Sequence, residues 1–368
     1  MSHTALFYKL APIVFAASPL IAASPAPDRT PPPALESFVE SVAHEHDFSG
    51  TIRVQEGSAK TYDRSFGLAD RAFNVPPDAT TRYRIASITK LFTSVLVLQL
   101  RDEGKVDLNG TIKKYLPDYA GEGGDEITIH HLLNHTSGLP QYDNVSSYQE
   151  AFKNGVEPYQ KPVSPEELLK RCCSGKVNEK PGAKFNYNNA DYFVLGRVIE
   201  KLIGKTYEQA LTERILSPLG LKDTGMLHWD AIIDRLAPTY FFRDDTKILI
   251  NDMPVYYENW YAAAGMYSTV TDLLTFADAL YGGRLIKPDS LDKLLTPGLD
   301  EYGYGLWSYT FTREGKKYKV AKRPGSVMGA NTVLYRLLDQ NSTIIILGNT
   351  NRTDLDVFAQ KIADVLVK

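Results

Sequence analysis

The sequence predicts an α/β fold, an antiparallel sheet flanked by helices with a helical lobe inserted in the chain. Three observations predict it. Strand-like runs stand near the start at 51–55 and 61–66, and again near the end at 307–312, 317–321, 332–337 and 342–347. Strands at both ends imply one sheet assembled from both. The stretch from Ser87 to about Asp102 carries Ile88, Leu91, Phe92, Val95, Leu96, Val97, Leu98 and Leu100 on nearly every side of a helical cylinder. A helix apolar all round is a buried one. Between about Gly104 and Leu236 the signals are helices and loops rich in Pro, Gly and Asn. The expected division is therefore an α/β domain at 27–103 and 237–368, with the lobe at 104–236.

Residues 1–26 read as an export signal. Lys9 precedes an apolar run at 10–23 broken by Pro12 and Pro19, and the small residues Ala22, Ala23 and Ser24 come before Pro25. This pattern predicts cleavage between about Ala23 and Ala26. The run falls short of the ~20 apolar residues a membrane span needs, so no stable membrane insertion is expected after cleavage. The mature chain is expected in the periplasm or secreted.

A Pro-rich linker follows at 26–33, then a hairpin at 48–68 around the Gly57-Ser58 turn. Inside the lobe, Ser164 with Pro165 caps a helix through Leu168 and Leu169, and a second helix runs over about 189–202. Beyond the lobe, 268–280 reads as a helix with Thr269 and Asp272 spaced as a capping box. A final amphipathic helix covers 354–367, and no internal repeat is present.

The 368 residues are 43% hydrophobic and 23% charged, which suits a globular protein and excludes a disordered or fibrous one. A net charge of -3 and a pI near 6.2 leave no basic face, and the 22 Tyr and 15 Phe are spread along the chain. A small molecule or short peptide is the expected substrate, and nucleic acid is not a partner. Nothing in the composition points to an oligomeric state. The two cysteines, Cys172 and Cys173, are neighbours in a helical segment, where a disulfide between them is strained. A stapled framework is excluded, and at least one of them is expected to be a small buried hydrophobe.

Ser87-Ile88-Thr89-Lys90 sets a hydroxyl and an amine three residues apart, on one side of a helix at its first turn. The positive potential there favours an alkoxide-like Ser, and a Lys among apolar residues loses solvation, so its pKa falls toward that of a usable base. Ser290-Leu291-Asp292-Lys293 matches the same pattern, but lies on a polar segment that reads as surface.

Five ordered segments carry a resemblance: "RIASITKLFTSVLVLQL", "LPDYAGEGGDEITIHHLLNHTSGLP", "PGAKFNYNNADYFVLGRVIE", "LSPLGLKDTGM" and "AAAGMYSTVTDL". In order and spacing the chain resembles, from about Phe48 to its end, the serine β-lactamase and penicillin-binding-protein family. The branch is that of class C β-lactamases, D-Ala-D-Ala carboxypeptidases and related esterases. The S-x-x-K element also marks the class A enzymes, but no S-D-N triplet occurs here. The resemblance implies a β-lactamase/transpeptidase-like fold and a serine hydrolase working through an acyl-enzyme, with Ser87 as nucleophile.

The branch's second element is Y-x-N, with candidates at Tyr142-Asp143-Asn144, Tyr187-Asn188-Asn189 and Tyr257-Glu258-Asn259. Only Tyr187 follows the "PGAKFNY" turn and opens a helix. The resemblance implies that Tyr187 exchanges protons with Ser87 and the leaving group, and that Asn189 binds Lys90 and the substrate amide. A Tyr of pKa ~10 serves as base only if cations stabilise its phenolate, and Lys90 would supply that field.

The third element is a Lys or His, one residue, then Gly. Lys180-Pro181-Gly182 belongs to the turn before Tyr187 and Arg313-Glu314-Gly315 to a hairpin tip, whereas Arg323-Pro324-Gly325 precedes Gly329 and a strand. The resemblance then gives Gly325 the close approach of the substrate backbone, and the amides of Ser326 and Ser87 the oxyanion hole. Two departures stand out. Pro324 cannot donate to a ladder and belongs on an edge strand, and Arg323 replaces the usual Lys or His. Arg323 is expected to meet a substrate carboxylate at the mouth of the site. That favours a D-Ala-D-Ala-type peptidase or D-amino-acid amidase, with a carboxylesterase or β-lactamase as alternatives and a non-catalytic penicillin or cell-wall sensor as the competing class.

His130, His131 and His135 lie close in sequence, but no His-Glu-x-x-His is present, and the resemblance implies packing and capping roles. No Gly-rich phosphate loop follows a strand. Neither a metal nor a cofactor is expected.

Overall fold

The computed structural model describes residues 33–141 and 148–368; the expected export signal lies outside them. The described residues open with α1 (Pro33–Glu45), the hairpin β1 (Gly50–Glu56) and β2 (Ala59–Phe66), and the short strand β3 (Tyr83–Arg84). A single 3₁₀ turn, Ala86–Ile88, leads into α2 (Thr89–Asp102). Residues 104–236 hold α3 (Ile112–Tyr115), α4 (Ile129–Leu133), α5 (Tyr148–Asn154), α6 (Pro165–Cys172), α7 (Asn189–Ile203), α8 (Tyr207–Leu211), α9 (Ser217–Leu219) and the short strand β4 (Gly225–Met226). Then come β5 (Tyr240–Arg243), β6 (Ile248–Asn251), α10 (Tyr261–Ala264), β7 (Met266–Ser268), α11 (Val270–Tyr281) and α12 (Pro288–Leu295). The chain closes with β8 (Trp307–Arg313), β9 (Lys316–Val327), β10 (Ala330–Leu337), β11 (Ser342–Gly348) and α13 (Leu355–Leu366).

The main sheet is antiparallel in the order β2-β1-β11-β10-β9-β8, so the N-terminal hairpin joins the C-terminal strands at the β1–β11 pair, Ile52 opposite Ile346. Period-two alternation separates its faces. Ile52, Val54, Val333, Ile344 and Ile346 pack with Leu35 and Val39 of α1 and Phe358 and Ile362 of α13. On β1 the intervening Arg53 and Gln55 bond to Thr271 and Asp278 of α11, on the other face. Each fully buried aliphatic side chain contributes about 1.5–3 kcal/mol.

The all-apolar helix is α2, whose residues 89–98 and Leu100 are buried, with Phe92 stacked on Phe276 at a centroid distance of 3.8 Å. Ser87 lies in the 3₁₀ turn just before it rather than in its first α-helical turn, a tightening common at helix starts. α1 is an element not expected from the sequence, because its Pro-rich approach masks the apolar spacing of Leu35, Val39, Val42 and Ala43. At α11 only half of the expected capping box forms. Thr269 Oγ1 accepts from Asp272 N, but the Asp272 carboxylate accepts from Asp223 N and Thr224 Oγ1 instead of closing the box.

α6 starts at the expected cap, Ser164 Oγ accepting from Glu167 N, and Cys173 just beyond its end is buried. Among the described residues no helix is long and apolar enough to cross a membrane.

Candidate active site

The nucleophile candidate is presented by a strained turn. Ala86 has φ +45°, an uncommon conformation for a residue with a side chain, and Ile88 N bonds back to Ile85 O at 3.1 Å. Ser87 is left 8% exposed with two polar hydrogens aimed at its oxygen: Tyr187 Oη donates to Oγ at 2.9 Å and Lys90 Nζ at 3.3 Å. Lys90, one turn along α2, is fully buried, and its Nζ also donates to Asn189 Oδ1 at 2.7 Å and Ala263 O at 3.2 Å.

Tyr187 and Asn189 arrive from the opposite side because α7 starts between them. Asn188 is its N-cap, its side chain accepting from Ala190 N at 2.9 Å. Tyr187 therefore precedes the helix and Asn189 is its first residue. Gln141 Nε2 donates to Tyr187 O at 2.8 Å and fixes the approach.

Arg323 is the correction. It was expected at the mouth, facing a substrate carboxylate, but it is 1% exposed and turned inward. Its Nε donates to Ser87 O at 2.7 Å, Nη1 to Tyr302 Oη at 2.8 Å and Nη2 to Tyr187 Oη at 2.5 Å. The reason is strand periodicity. Ala321, Arg323 and Gly325 share one face of β9 and are all buried, Ala321 in the core and Gly325 against the Ser87 turn, so the guanidinium lies beneath that turn. A cation with its donors committed on three sides is not presented to a substrate.

Gly325 is needed for a closer neighbour than a substrate. A Cβ there would stand 2.4 Å from Ile85 O, 2.6 Å from Thr332 Oγ1 and 3.0 Å from Ser87 N, so β9 touches the nucleophile turn itself. Ser326, the next residue, is exposed beside it. Pairing of β9 with β8 ends at Lys322 opposite Trp307, which leaves 323–327 with a free outer side and explains why Pro324 is tolerated.

These charges act on one another. Burial lowers the Lys90 pKa to about 8, with Arg323 adding to the effect and Tyr187 opposing it. Burial alone would raise Tyr187, but Arg323 and then Lys90 outweigh it and bring the phenol down to about 7. The arrangement can hold a phenolate next to a serine hydroxyl near neutral pH, the requirement for a general base.

The other motif matches lie elsewhere. Ser290 is buried, not on the surface, and is bonded to Arg101 and Asp102; its Lys293 is at the surface near Asp289. Asn259 is a buried loop clamp, donating to Pro158 O and Lys161 O, and Tyr257 lies under Arg84 at 4.3 Å. Tyr142-Asp143-Asn144 falls outside the described residues. Gly315 takes the tip of the β8–β9 hairpin, with φ +77°. His131 caps α4 by accepting from Thr128 N, and His130 bonds to Tyr304 Oη at 2.6 Å. Among the described residues no cluster of His, Cys, Asp and Glu is arranged to hold a metal ion.

Three residues of this site belong to none of the motifs in the sequence. Tyr302 anchors Arg323, Trp307 stacks 6.0 Å from Tyr187, and Asp191 is buried behind it, bonded to His135. Asp191 alone left a signal: a single acid in the otherwise apolar stretch 190–195.

A family model described as beta-lactamase matches residues 35–367. A penicillin-binding protein of Bacillus subtilis is 26% identical over 336 residues, 86% of this chain and 71% of its own length. A teichoic acid D-alanine hydrolase of Staphylococcus aureus is 25% identical over 266 residues, and the match spans 71% of this chain but only 62% of that protein. Among solved structures, a D-stereospecific amidohydrolase from Streptomyces superposes with a TM-score of 0.75 at 26% identity, covering 91% of this chain and 98% of that one. The chain therefore belongs to the beta-lactamase family, and it is a serine hydrolase of the β-lactamase/transpeptidase-like fold.

Proposed function

We propose that the protein cleaves amide or ester bonds of D-amino-acid derivatives through an ester on Ser87, and that its substrates carry a neutral leaving group. One observation carries the reading: Ser87 Oγ lies 2.9 Å from Tyr187 Oη and 3.3 Å from Lys90 Nζ, while the Arg323 guanidinium is spent on Tyr187, Ser87 O and Tyr302. Proton transfer is provided for, and the arginine that would have favoured a free carboxylate is not on offer. The names of two relatives, a D-stereospecific amidohydrolase and a teichoic acid D-alanine hydrolase, support a D-amino-acid acyl group.

In this mechanism Tyr187, as phenolate, takes the Ser87 proton while Oγ forms a bond to the substrate carbonyl carbon. The carbonyl oxygen becomes an oxyanion received by the amides of Ser87 and Ser326, each such donor being worth roughly 3 kcal/mol in the barrier. Tyr187 returns the proton to the leaving nitrogen or oxygen as the scissile bond breaks. Water then gives a proton to Tyr187 as it attacks the ester carbon, and Tyr187 passes that proton to Ser87 Oγ as the Oγ–acyl bond breaks, which frees the acid and restores the hydroxyl and the phenolate. Lys90 holds the phenolate and Asn189. The α/β part, 27–103 and 237–368, supplies Ser87, Lys90 and Arg323, and the lobe at 104–236 supplies Tyr187 and Asn189. The signal-like start supports action outside the cytoplasm, in the periplasm or secreted.

The test is intact-protein mass and turnover with a D-alanine amide, a short-chain nitrophenyl ester and a penicillin. Turnover of the amide or the ester with loss of phosphonate labelling in Ser87→Ala, but not in Ser290→Ala, is the expected result. Labelling that survives Ser87→Ala would remove the assignment. A stable penicillin adduct with no turnover of any substrate would make the protein a sensor.

A further inference from the structure

Behind Tyr187 lies a buried acid–base pair that the proposed reaction does not use. Asp191 and His135 are both fully buried, with Asp191 Oδ2 2.7 Å from His135 Nδ1. Asp191 Oδ1 accepts from Ser137 Oγ at 2.5 Å. His135 holds the residues on both sides of Tyr187: Asn186 N donates to its carbonyl at 2.8 Å, and Asn188 N donates to its Nδ1 at 3.3 Å. Its ring centroid is 4.5 Å from that of Tyr187, and its backbone sits at φ +58°. A strained residue gripping the base candidate from three directions is placed to position it.

The hydrogens of the pair follow from the groups that face Nδ1. The backbone N–H of Asn188, always a donor, points at Nδ1 from 3.3 Å and would oppose a ring proton there, so the single lone pair of an unprotonated Nδ1 is shared between this N–H and the closer Asp191 Oδ2. The hydrogen in the 2.7 Å contact then belongs to Asp191 Oδ2, and the ring proton sits on Nε2. That nitrogen is buried without a hydrogen-bond partner, on a ring whose centroid lies 4.5–6.1 Å from those of Tyr187, Tyr302, Tyr192 and Phe185.

We infer that Asp191 is a positioning residue present as a neutral carboxylic acid, its Oδ2–H donated to His135 Nδ1, so that an uncharged pair seats Tyr187 without cancelling the cationic field of Lys90 and Arg323. The groups facing the pair agree. Lys90 of α2, Tyr119 and Tyr192 face Asp191; Lys90 and Arg323 face His135. Burial pushes Asp191 well above the usual carboxylate range, with Ser137 and Lys90 opposing, and holds His135 well below the usual imidazole value, with Lys90 and Arg323 adding to the effect. An ionised Asp191 would place a negative charge behind the very phenol that the two cations must hold as phenolate.

The inference rests on the reading of Tyr187 as base, and its first test is independent of activity. In full-length protein labelled with ¹⁵N-histidine, the His135 ring is expected as the Nε2-protonated tautomer; a proton on Nδ1 would overturn the inference while leaving the Ser87 assignment untouched. The second test uses Asp191→Asn, whose amide offers an N–H to His135 and a carbonyl to Ser137. The acid limb of its kcat/KM profile is expected within about 0.3 unit of the wild-type position, because no charge has been removed. A downward shift of about half a unit or more would reveal a lost negative charge and sink the proposal. Asp191→Ala, which supplies no donor to Nδ1, is expected to lose at least tenfold in kcat with KM little changed, on the scale of a misplaced acid–base group. Equal activity in the Ala and Asn variants would deny Asp191 a positioning role.

Discussion

Arg323 Nη2 donates to Tyr187 Oη at 2.5 Å, so the guanidinium is fixed on the phenol beside Ser87. The same side chain holds Ser87 O through Nε. One residue thus joins the orientation of the Ser87 turn to the electrostatics of Tyr187, and a cation that never titrates at working pH keeps that link constant.

Arg323→Met should move the acid limb of kcat/KM upward. Burial raises Tyr187, and Arg323 and Lys90 bring it down to about 7. With Arg323, the largest lowering influence, gone, the raising effect faces only Lys90 and the Ser87 hydrogen bond, so a higher pH is needed to form the phenolate. A shift of about one unit or more is expected, equivalent to tenfold lower kcat/KM below the limb. Arg323→Lys, a point charge without the fork, should shift it less. An unmoved limb in Arg323→Met would show that the field on Tyr187 comes from elsewhere.

Substrates with a free carboxylate on the leaving group should be poor ones. No extra cation from Arg323 reaches them, and the buried +1 of that residue is already hydrogen-bonded on three sides. Comparing D-alanine amide with D-alanyl-D-alanine, kcat/KM for the amide is expected to be at least about tenfold higher, or ~1.4 kcal/mol. A preference for the dipeptide would mean that another cation serves its carboxylate.

The strand runs of the main sheet and α2, α7 and α13 were legible because each carries its own period of apolar residues; Asn188 and Asp354 cap α7 and α13, whereas α2 has no side-chain cap. The meeting of Ser87, Lys90 and Tyr187 was legible because their spacing and flanking turns resemble those of a family. The direction of Arg323 was not. It depends on which face of β9 turns toward the Ser87 turn, a matter of sheet register with no local signature. Tyr302 and Asp191 were missed for a related reason: their roles are contacts across 21 and 56 residues of sequence, with Arg323 and His135. α1 was obscured by the prolines before it.

Gly325→Ala should damage the site and the fold together. The added methyl would lie 2.4 Å from the backbone Ile85 O and 2.6 Å from the Thr332 hydroxyl, which is itself bonded to Ile85 O and Gly325 O, so neither has much freedom to give. Overpacking of this kind costs about 1–3 kcal/mol. A lower Tm and a loss of kcat/KM of at least about 100-fold are expected, since β9 would be pushed from Ser87 N and the donors of Ser87 and Ser326 would separate. Wild-type Tm with wild-type activity would show that β9 relaxes freely.

Two phenols share the Arg323 guanidinium, and they should behave differently when converted to Phe. Tyr302 accepts from Nη1, is fully buried, and is pushed well above the usual tyrosine range by that burial, so it stays a neutral anchor. Tyr187 accepts from Nη2, donates to Ser87 Oγ, and is brought down to about 7. Removing the Tyr302 hydroxyl leaves a buried donor unpaired and should cost about 1–3 kcal/mol of stability, read as a lower Tm, with kcat reduced less than about tenfold. Removing the Tyr187 hydroxyl takes away the proton acceptor itself. Tyr187→Phe should therefore lower kcat by more than about 100-fold with KM little changed, because substrate binding does not need the proton transfer. The same variant should slow phosphonate labelling of Ser87 in parallel, as the hydroxyl would have lost its base. If instead Tyr302→Phe were the more damaging to kcat and Tyr187→Phe turned over near the wild-type rate, the base would have to be Lys90, whose pKa near 8 leaves it the remaining group able to take the Ser87 proton.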